Sequence, residues 1–185
     1  MLFFSLIQKP SIENQQTNVA TANTNTNTNT NTNNIIHTNL TDARPDEVCS
    51  YLSGIGIVTE KANGYENGSE YCFSPYKELG SEDTVGLRNN IAYYVVVSND
   101  IVTKAYIALN VNKPNESKTS QAVLLRAAST LLKKALNEDI PKSVKQAITK
   151  GKAIKITVKQ TTVTLSRETF SSRKGYSLHF TIKSI

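Results

Sequence analysis

Two apolar segments joined by a very short polar connection dominate the middle of the chain. Residues 91–97 are entirely apolar or tyrosine, and a second β-type segment, residues 101–111, follows the Ser-Asn-Asp connection at 98–100. β-Branched and tyrosine residues favour strands, and Asn and Asp favour tight turns. In the second segment Ala105, Ile107, Leu109 and Val111 alternate with Lys104, Tyr106 and Asn110. The pattern predicts a hairpin whose second strand has one wet face and whose first strand is covered on both faces.

Weaker patterns precede this hairpin. Residues 41–47 have the capping, proline and acidic residues that open a helix, and Gly54 and Gly56 end it. Residues 71–74 are short and aromatic and stop at Pro75, which predicts an edge strand or an ordered loop. A loop is expected from there to residue 90.

Two helices are predicted after the hairpin. The first begins at Ser117 or Thr119 and runs to about Asn137, with a leucine and alanine stripe at helical spacing. The second spans residues 141–150 and ends at Gly151.

A β region, residues 153–167, and a last strand from Tyr176 follow the helices. In the β region Ile154, Ile156 and Val158 have one parity and Val163 and Leu165 the other, so a bulge or bend near Gln160 and Thr161 is predicted. The last strand alternates apolar and polar residues and has one wet face. The whole order, α-(β)-ββ-αα-ββ, predicts an α+β fold. We expect an antiparallel sheet of about 4–5 strands (two hairpins) with two or three helices packed on one face.

The first forty residues have a different character. An Asn/Thr repeat occupies residues 23–33 and has no apolar face to bury, so residues 1–40 are predicted to be a disordered leader and residues 41–185 a single domain. The apolar run Met1–Ile7 is too short to span a bilayer. Two interpretations stay open: a disordered tip, or the remnant of a longer anchor. Membrane attachment is expected only in the second case. A cytoplasmic location is the default, and an envelope-facing one follows if this run belongs to a signal or anchor.

The net charge of +6 is unevenly distributed. Residues 1–112 carry 6 Lys and Arg against 11 Asp and Glu, whereas residues 113–185 carry 15 against 4. The basic candidates for an anionic partner are Arg126, Lys133, Lys134, Lys142 and Lys145. Nucleic-acid binding and an ordinary solvated basic face are the alternatives. The excess of Lys over Arg and the lack of a recognition motif favour the solvated face.

Residues for catalysis are scarce. Phosphate-binding glycine loops and nucleophile-elbow motifs are absent, and the two histidines, His37 and His179, have no metal-ligand spacing. Cys49 and Cys72 are either a single bridge or two buried thiols, and the thiols are favoured. A nucleophile pair of either cysteine with His179 would require long-range convergence. The acids Glu66, Glu70, Glu78, Glu82 and Asp83 are expected to be solvated loop residues. No catalytic residue, cofactor or metal is predicted.

The function that these observations favour is a non-enzymatic protein-interaction or envelope-associated domain, with nucleic-acid binding through the basic half as the alternative. Tyr71, Phe73 and Tyr76 are the candidate anchors for a protein partner. The competing interpretation, which is favoured, is that these rings pack beneath the neighbouring loop. The partner and the oligomeric state remain open.

Overall fold

The computed structural model describes residues 39–62, 68–82, 86–172 and 174–185. The predictions for residues 1–38, including Met1–Ile7, the Asn/Thr repeat and His37, lie outside these residues, as do Glu66 and Asp83. Leu40, which the sequence assigned to the leader, is described and is fully buried in the core.

Three α-helices and eight strands form from the described residues. The helices are α1 (Pro45–Ser50), α2 (Ser117–Leu136) and α3 (Lys142–Lys150). The strands are β1 (Glu60–Lys61), β2 (Glu70–Phe73), β3 (Lys77–Leu79), β4 (Asn89–Ser98), β5 (Ile101–Val111), β6 (Ile154–Val158), β7 (Thr161–Thr169) and β8 (Tyr176–Ser184). All pairs are antiparallel, in the order β1-β2-β4-β5-β8-β7-β6, and β3 pairs with β4 beside β2.

The predicted α+β class and antiparallel sheet are confirmed, but the expected strand count was too low. The predicted loop before residue 90 contains β3, which is only three residues long and mostly exposed. The predicted bend near Gln160 is a complete hairpin turn, with Lys159 in the left-handed region at φ 51°. β6 and β7 are therefore two strands, and this turn places their five apolar residues on one face.

The β4–β5 hairpin forms as predicted. Asn99 and Asp100 both have positive φ, at 52° and 60°, as a two-residue turn that matches strand twist requires. Thr103 is an extra residue in β5, because Val96 pairs with Lys104 and Val97 with Val102. This bulge turns Val102 into the core, where its side chain is fully buried.

The core lies between the sheet and the helices. Leu124, Leu131 and Leu132 of α2 are fully buried, as are Tyr93 of β4 and Phe180 of β8. All three helices lie on this one face, which we call the helix face. The opposite face of the sheet has no described helix or strand over it. β4 is nevertheless largely buried on this side as well, as predicted, since Ala92 and Val96 are 0% and 6% exposed.

A polar network attaches α2 to the sheet. Asn89, which is fully buried, donates its amide to Ser120 Oγ over 2.9 Å and accepts a bond of 2.7 Å from the backbone N–H of Lys113. Near it, Glu116 accepts hydrogen bonds from the backbone N–H and the hydroxyl of Ser81, and its carboxylate lies 2.8 Å from Lys113 Nζ. The Lys113 ammonium first, and then the Ser81 donors, lower the pKa of Glu116 to about 2.

Cys49 of α1 and Cys72 of β2 form a disulfide. The sequence left open a single bridge or two buried thiols, and the favoured interpretation, the thiols, is wrong. Both residues are buried on the helix face. The bond ties the short helix α1 to the sheet, which a six-residue helix needs because its own hydrogen bonds stabilise it little.

Removing this cross-link is expected to lower the free energy of unfolding by about 3 kcal/mol, because the unfolded chain regains the entropy of a closed loop of this size. The change is the double variant Cys49→Ala/Cys72→Ala, measured by urea unfolding. Reductant should shift the wild-type midpoint in the same direction and leave the double variant unchanged. A wild-type midpoint that is insensitive to reductant would contradict the bond.

The Glu116 site predicts a specific pH dependence. Its pKa is about 2 in the folded chain and near 4.5 when unpaired, so its contribution to stability is complete above pH 4.5. As pH falls from 4.5 towards 2, the Glu116 carboxylate takes up a proton more readily in the unfolded chain than in the folded one, and its contribution to stability is lost. Melting curves of Glu116→Gln should therefore show a weaker dependence on pH in this window than the wild type. Glu168→Gln, which removes an exposed carboxylate of β7, is the matched control and should retain the wild-type slope.

Candidate functional site

The uncovered face of the sheet carries a row of aromatic side chains across neighbouring strands. The register aligns Phe73 of β2 with Tyr94 of β4, and Tyr94 with Tyr106 of β5. Tyr76, which precedes β3, interacts with Tyr94 through its side chain. We call this surface the open face and the four residues Phe73, Tyr76, Tyr94 and Tyr106 the aromatic row.

Two rings of the aromatic row are in direct contact with each other. Tyr94 and Tyr106 are stacked, with centroids 4.6 Å apart and an interplanar angle of 8°. The imidazole of His179, on β8, lies 6.5 Å beyond Tyr106, and Lys104 Nζ lies 4.7 Å from the Tyr106 centroid. Cross-strand aromatic pairs stabilise a sheet, so part of this arrangement is structural. The exposed fractions of Phe73 and Tyr76, 37% and 57%, nevertheless leave apolar ring surface available to a partner.

The tyrosine hydroxyls are also held. Tyr106 donates to Glu70 Oε1 over 3.2 Å, and Tyr94 interacts with the hydroxyl of Tyr76. Partial burial is the main cause that raises the pKa of Tyr94 and Tyr106; Glu70 raises that of Tyr106 further. Both phenols therefore remain protonated donors at any physiological pH.

Small and polar side chains surround the aromatic row. Ala92 and Ala108 pair with each other directly beside the two stacked tyrosines, and their small side chains are buried. Beyond them, Asn110 donates to Asn90 Oδ1 over 2.8 Å. The partly exposed or exposed hydroxyls of β7 and β8 on this face are those of Thr162, Thr164, Ser166 and Thr181. The open face thus consists of a strip of aromatic side chains bordered by amide and hydroxyl groups.

The structure separates the three anchors that the sequence suggested. Phe73 and Tyr76 lie on the open face. Tyr71 is the extra residue of a bulge in β2, and its hydroxyl donates to Asp46 of α1 over 2.9 Å. Lys61 Nζ lies 5.2 Å from the Tyr71 ring. Tyr71 therefore joins elements of the domain, away from the aromatic row.

Sequence reasoning missed Tyr94 and Tyr106 as site residues. The alternation in β5 did place Tyr106 on the wet face, and the register confirms it. Nothing in the apolar run of β4 distinguishes Tyr94 from the buried Tyr93 beside it.

The basic candidates are all exposed on the helices. In α2, Lys133 is 3.3 Å from Asp139, and Lys134 lies 5.8 Å from the ring of Tyr51. Arg126 is on the exposed side of the same helix. Lys142 and Lys145 of α3 line a shallow concavity of about 530 Å³ together with Ile140, Gln146, Thr149 and Lys150. The structure therefore groups the two α3 lysines at one concavity, which Arg126, Lys133 and Lys134 do not line.

The residues with chemical reactivity are kept apart. The cysteines are bonded to each other on the helix face, whereas His179 lies on the open face, so the cysteine–histidine pair considered from the sequence does not form. Glu78 and Glu82 both bind the guanidinium of Arg88, at 2.8 and 2.7 Å. In the described part of the chain, no group of three or more His, Cys, Asp or Glu could hold a metal ion.

No helix within the described ranges is both long and apolar enough to cross a membrane.

Compared with family models, with curated proteins and with solved structures, the chain matches none. Support for a function therefore comes from the residues and geometry of the domain itself.

Proposed function

We propose that this domain is a non-catalytic binding module that holds a partner protein on its open face. One observation carries the proposal: the aromatic row crosses the centre of a sheet face that no described element covers. A sheet of this kind normally buries one face and leaves the other polar. Here the second face has aromatic residues at its centre and polar residues around them, which is the arrangement of a protein-binding surface.

The chemistry of the open face fits a protein partner better than a small molecule. Tyrosine, asparagine and serine are among the residues enriched in antibody combining sites, because tyrosine supplies contact area at little entropic cost and the small polar residues adapt their hydrogen bonds. A small-molecule site would instead be a deep, mostly apolar cleft. On the open face the small side chains of Ala92 and Ala108 lie opposite each other, next to the stacked tyrosines.

Two of the four rings of the aromatic row, Tyr94 and Tyr106, are restricted in the absence of a partner. Stacking of Tyr94 on Tyr106 and the hydrogen bond from Tyr106 to Glu70 restrict both rings. Since side chains immobilised on binding cost roughly 0.5–1.5 kcal/mol each, restricting them in advance leaves more of the contact energy for affinity.

The open face differs from the basic helices in its charge, because it carries both signs. Lys104 and Lys183 lie on it with Glu70 and Glu78, so both signs are present. A surface of mixed sign offers no strong field to a polyanion, whereas it can match the charge pattern of one protein and repel others.

The disulfide supports the proposal that the protein works in an oxidising compartment. Buried structural disulfides persist outside the reducing cytosol, and Cys72 is only 1% exposed. This supports the envelope-facing alternative for the chain rather than the cytoplasmic default.

The test places a photo-cross-linking amino acid at Thr181, which neighbours Tyr106 on the open face, and exposes the purified chain to extract from its host. We expect one discrete protein adduct, because a specific interface orients the partner. The double variant Phe73→Ala/Tyr106→Ala should remove the adduct, since loss of central aromatic anchors costs about 2 kcal/mol or more, roughly a 30-fold loss of affinity.

Two controls accompany this measurement. Lys142→Ala/Lys145→Ala, on the helix face, should keep the adduct, and circular dichroism should show that both double variants are folded. An adduct that forms equally well from a cross-linker at Ser143 of α3, or that survives the loss of both aromatic residues, would overturn the proposal.

Nucleic-acid binding is the second candidate, and the charge pattern of α3 favours it. Residues 140–167 contain seven Lys and Arg and no Asp or Glu. Lys142, Lys145 and Lys150 have no carboxylate partner within the described ranges, and they line the concavity on α3. Such a cluster can neutralise phosphates.

Fluorescence anisotropy with single-stranded and duplex oligonucleotides at two salt concentrations decides this candidate. Phosphate binding through α3 requires that affinity falls steeply with salt, and that Lys142→Glu/Lys145→Glu reduces the slope of log affinity against log salt by about two. Absence of binding at low salt rejects the candidate, and Lys104→Glu on the open face is the matched control.

A further inference from the structure

The strand β6 is the outermost strand of the sheet on the side opposite β1. It pairs with β7 through Ile154–Leu165, Ile156–Val163 and Val158–Thr161, and no described strand pairs with its other side. An outer strand presents a row of N–H and C=O groups that another extended chain can pair with.

The helix-face side of β6 is incompletely covered. Ile154, Ile156 and Val158 are all partly exposed, whereas Val163 and Leu165, their neighbours on β7, are fully buried. The apolar layer of the core therefore continues to the edge of the sheet and ends there without being closed. An additional strand with apolar residues at matching positions would complete this layer.

The surroundings of β6 are positively charged. Lys152, Lys155 and Lys159 lie at or beside the strand, and all three are exposed. Lys159 is engaged, because its ammonium is 2.9 Å from Glu138 and donates to the carbonyl of Leu136. Lys152 and Lys155 have no carboxylate partner among the described residues. On its open-face side, β6 therefore carries at Lys155 an ammonium group for which the described residues supply no carboxylate partner.

We propose that β6 binds an extended, acidic segment of a partner protein, which adds to the sheet as a further strand. The backbone pairing supplies the general affinity, and the side chains supply the choice of partner. Because strand side chains alternate, the segment needs apolar residues on the helix-face side, over Ile154, Ile156 and Val158. On the other side it needs Asp or Glu beside Lys155.

A second copy of this chain fits the edge poorly. Two β6 strands paired with each other would bring the lysines of both edges together, and like charges across a strand pair are destabilising. Charged residues at an edge strand also oppose indiscriminate pairing. The same lysines that disfavour self-association therefore favour an acidic strand.

This site is separate from the open face. The aromatic row lies on β2, β4 and β5 and next to β3, whereas β6 is at the far edge, beyond β8 and β7. Failure of either proposal leaves the other standing.

The experiment uses the full chain and a fluorescent, end-capped peptide of seven residues that alternates glutamate and valine, beginning and ending with glutamate. We expect saturable binding, with amide chemical-shift changes in NMR spectra concentrated on β6 and slower hydrogen exchange of its outward amides. Lys155→Glu should weaken binding at least tenfold. Lys183→Glu is the matched control, since Lys183 is an exposed lysine on the same side of the sheet but on an inner strand, and it should weaken binding far less.

Peptide variants test the strand geometry. Replacement of the glutamates by lysines, or methylation of alternate backbone nitrogens, should abolish binding. The proposal is overturned if a peptide with the same residues in block order binds equally well. It is also overturned if Lys155→Glu and Lys183→Glu have equal effects, or if the shift changes lie on α3. Sedimentation that shows a dimer through β6 would replace the acidic partner with a second copy and would equally overturn it.

Discussion

The register of the β4–β5 hairpin decides which side chains enter the core and which reach the open face. Its two-residue turn at Asn99 and Asp100 sets the pairing of the strand ends, and the bulge at Thr103 shifts the pairing of the rest of β5 by one residue. Since side chains alternate between faces, a slip of one residue would exchange Tyr93 and Tyr94. The first is fully buried and donates its hydroxyl to the carbonyl of Val48, and the second belongs to the aromatic row. Both the core and the candidate site thus depend on one hairpin.

Buried polar contacts make that register hard to change. The side-chain amide of Asn89, at the start of β4, accepts a hydrogen bond from the backbone N–H of Lys113, just beyond the end of β5, and donates one to Ser120 of α2. A similar contact joins Gln121 of α2 to the hydroxyl of Tyr176 at the start of β8, over 3.1 Å. Because an unpaired polar group in the interior costs about 1–3 kcal/mol, a shifted strand would lose these partners and not only its apolar packing. The helix layer therefore holds the sheet in the one register that presents the aromatic row.

The sequence allowed the elements with strong periodicity to be predicted, and these are the elements that carry the core. The β4–β5 hairpin, α2, α3 and β8 were all expected within a few residues of where they lie. β3 was missed because its three residues have no apolar alternation and it forms only against the backbone of β4. The turn between β6 and β7 was taken for a bend because Lys159 adopts a positive φ that usually signals glycine or asparagine.

The candidate site was less accessible to sequence reasoning than the fold. It requires that β2 and β5 lie on either side of β4, and that β8 follows β5, an order that no local pattern encodes. The disulfide was hard to predict for the same reason, because Cys49 and Cys72 meet only after α1 has packed on the helix face. Phe73 and Tyr76 were identifiable because aromatic residues beside a proline are unusual in a polar stretch. The sequence did not indicate that they would lie beside Tyr94 and Tyr106.

The order of strands shows where the two differently charged halves of the sequence meet the edges of the sheet. β1, β2 and β3, from the acidic half, form one edge of the sheet, and β6, from the basic half, forms the other. Only the two edges of the sheet are divided in this way, because elsewhere the halves are in contact: α2 of the basic half packs on β4 and β5 of the acidic half, and β8 pairs with β5. At the acidic edge, several carboxylates have partners: Asp46 binds Lys61, and Glu78 and Glu82 share Arg88. At the basic edge, α3 and β6 retain cations without carboxylate partners in the described residues. Because like charges repel within the folded domain and cost stability, an acidic segment bound at β6, as proposed above, would relieve part of this repulsion.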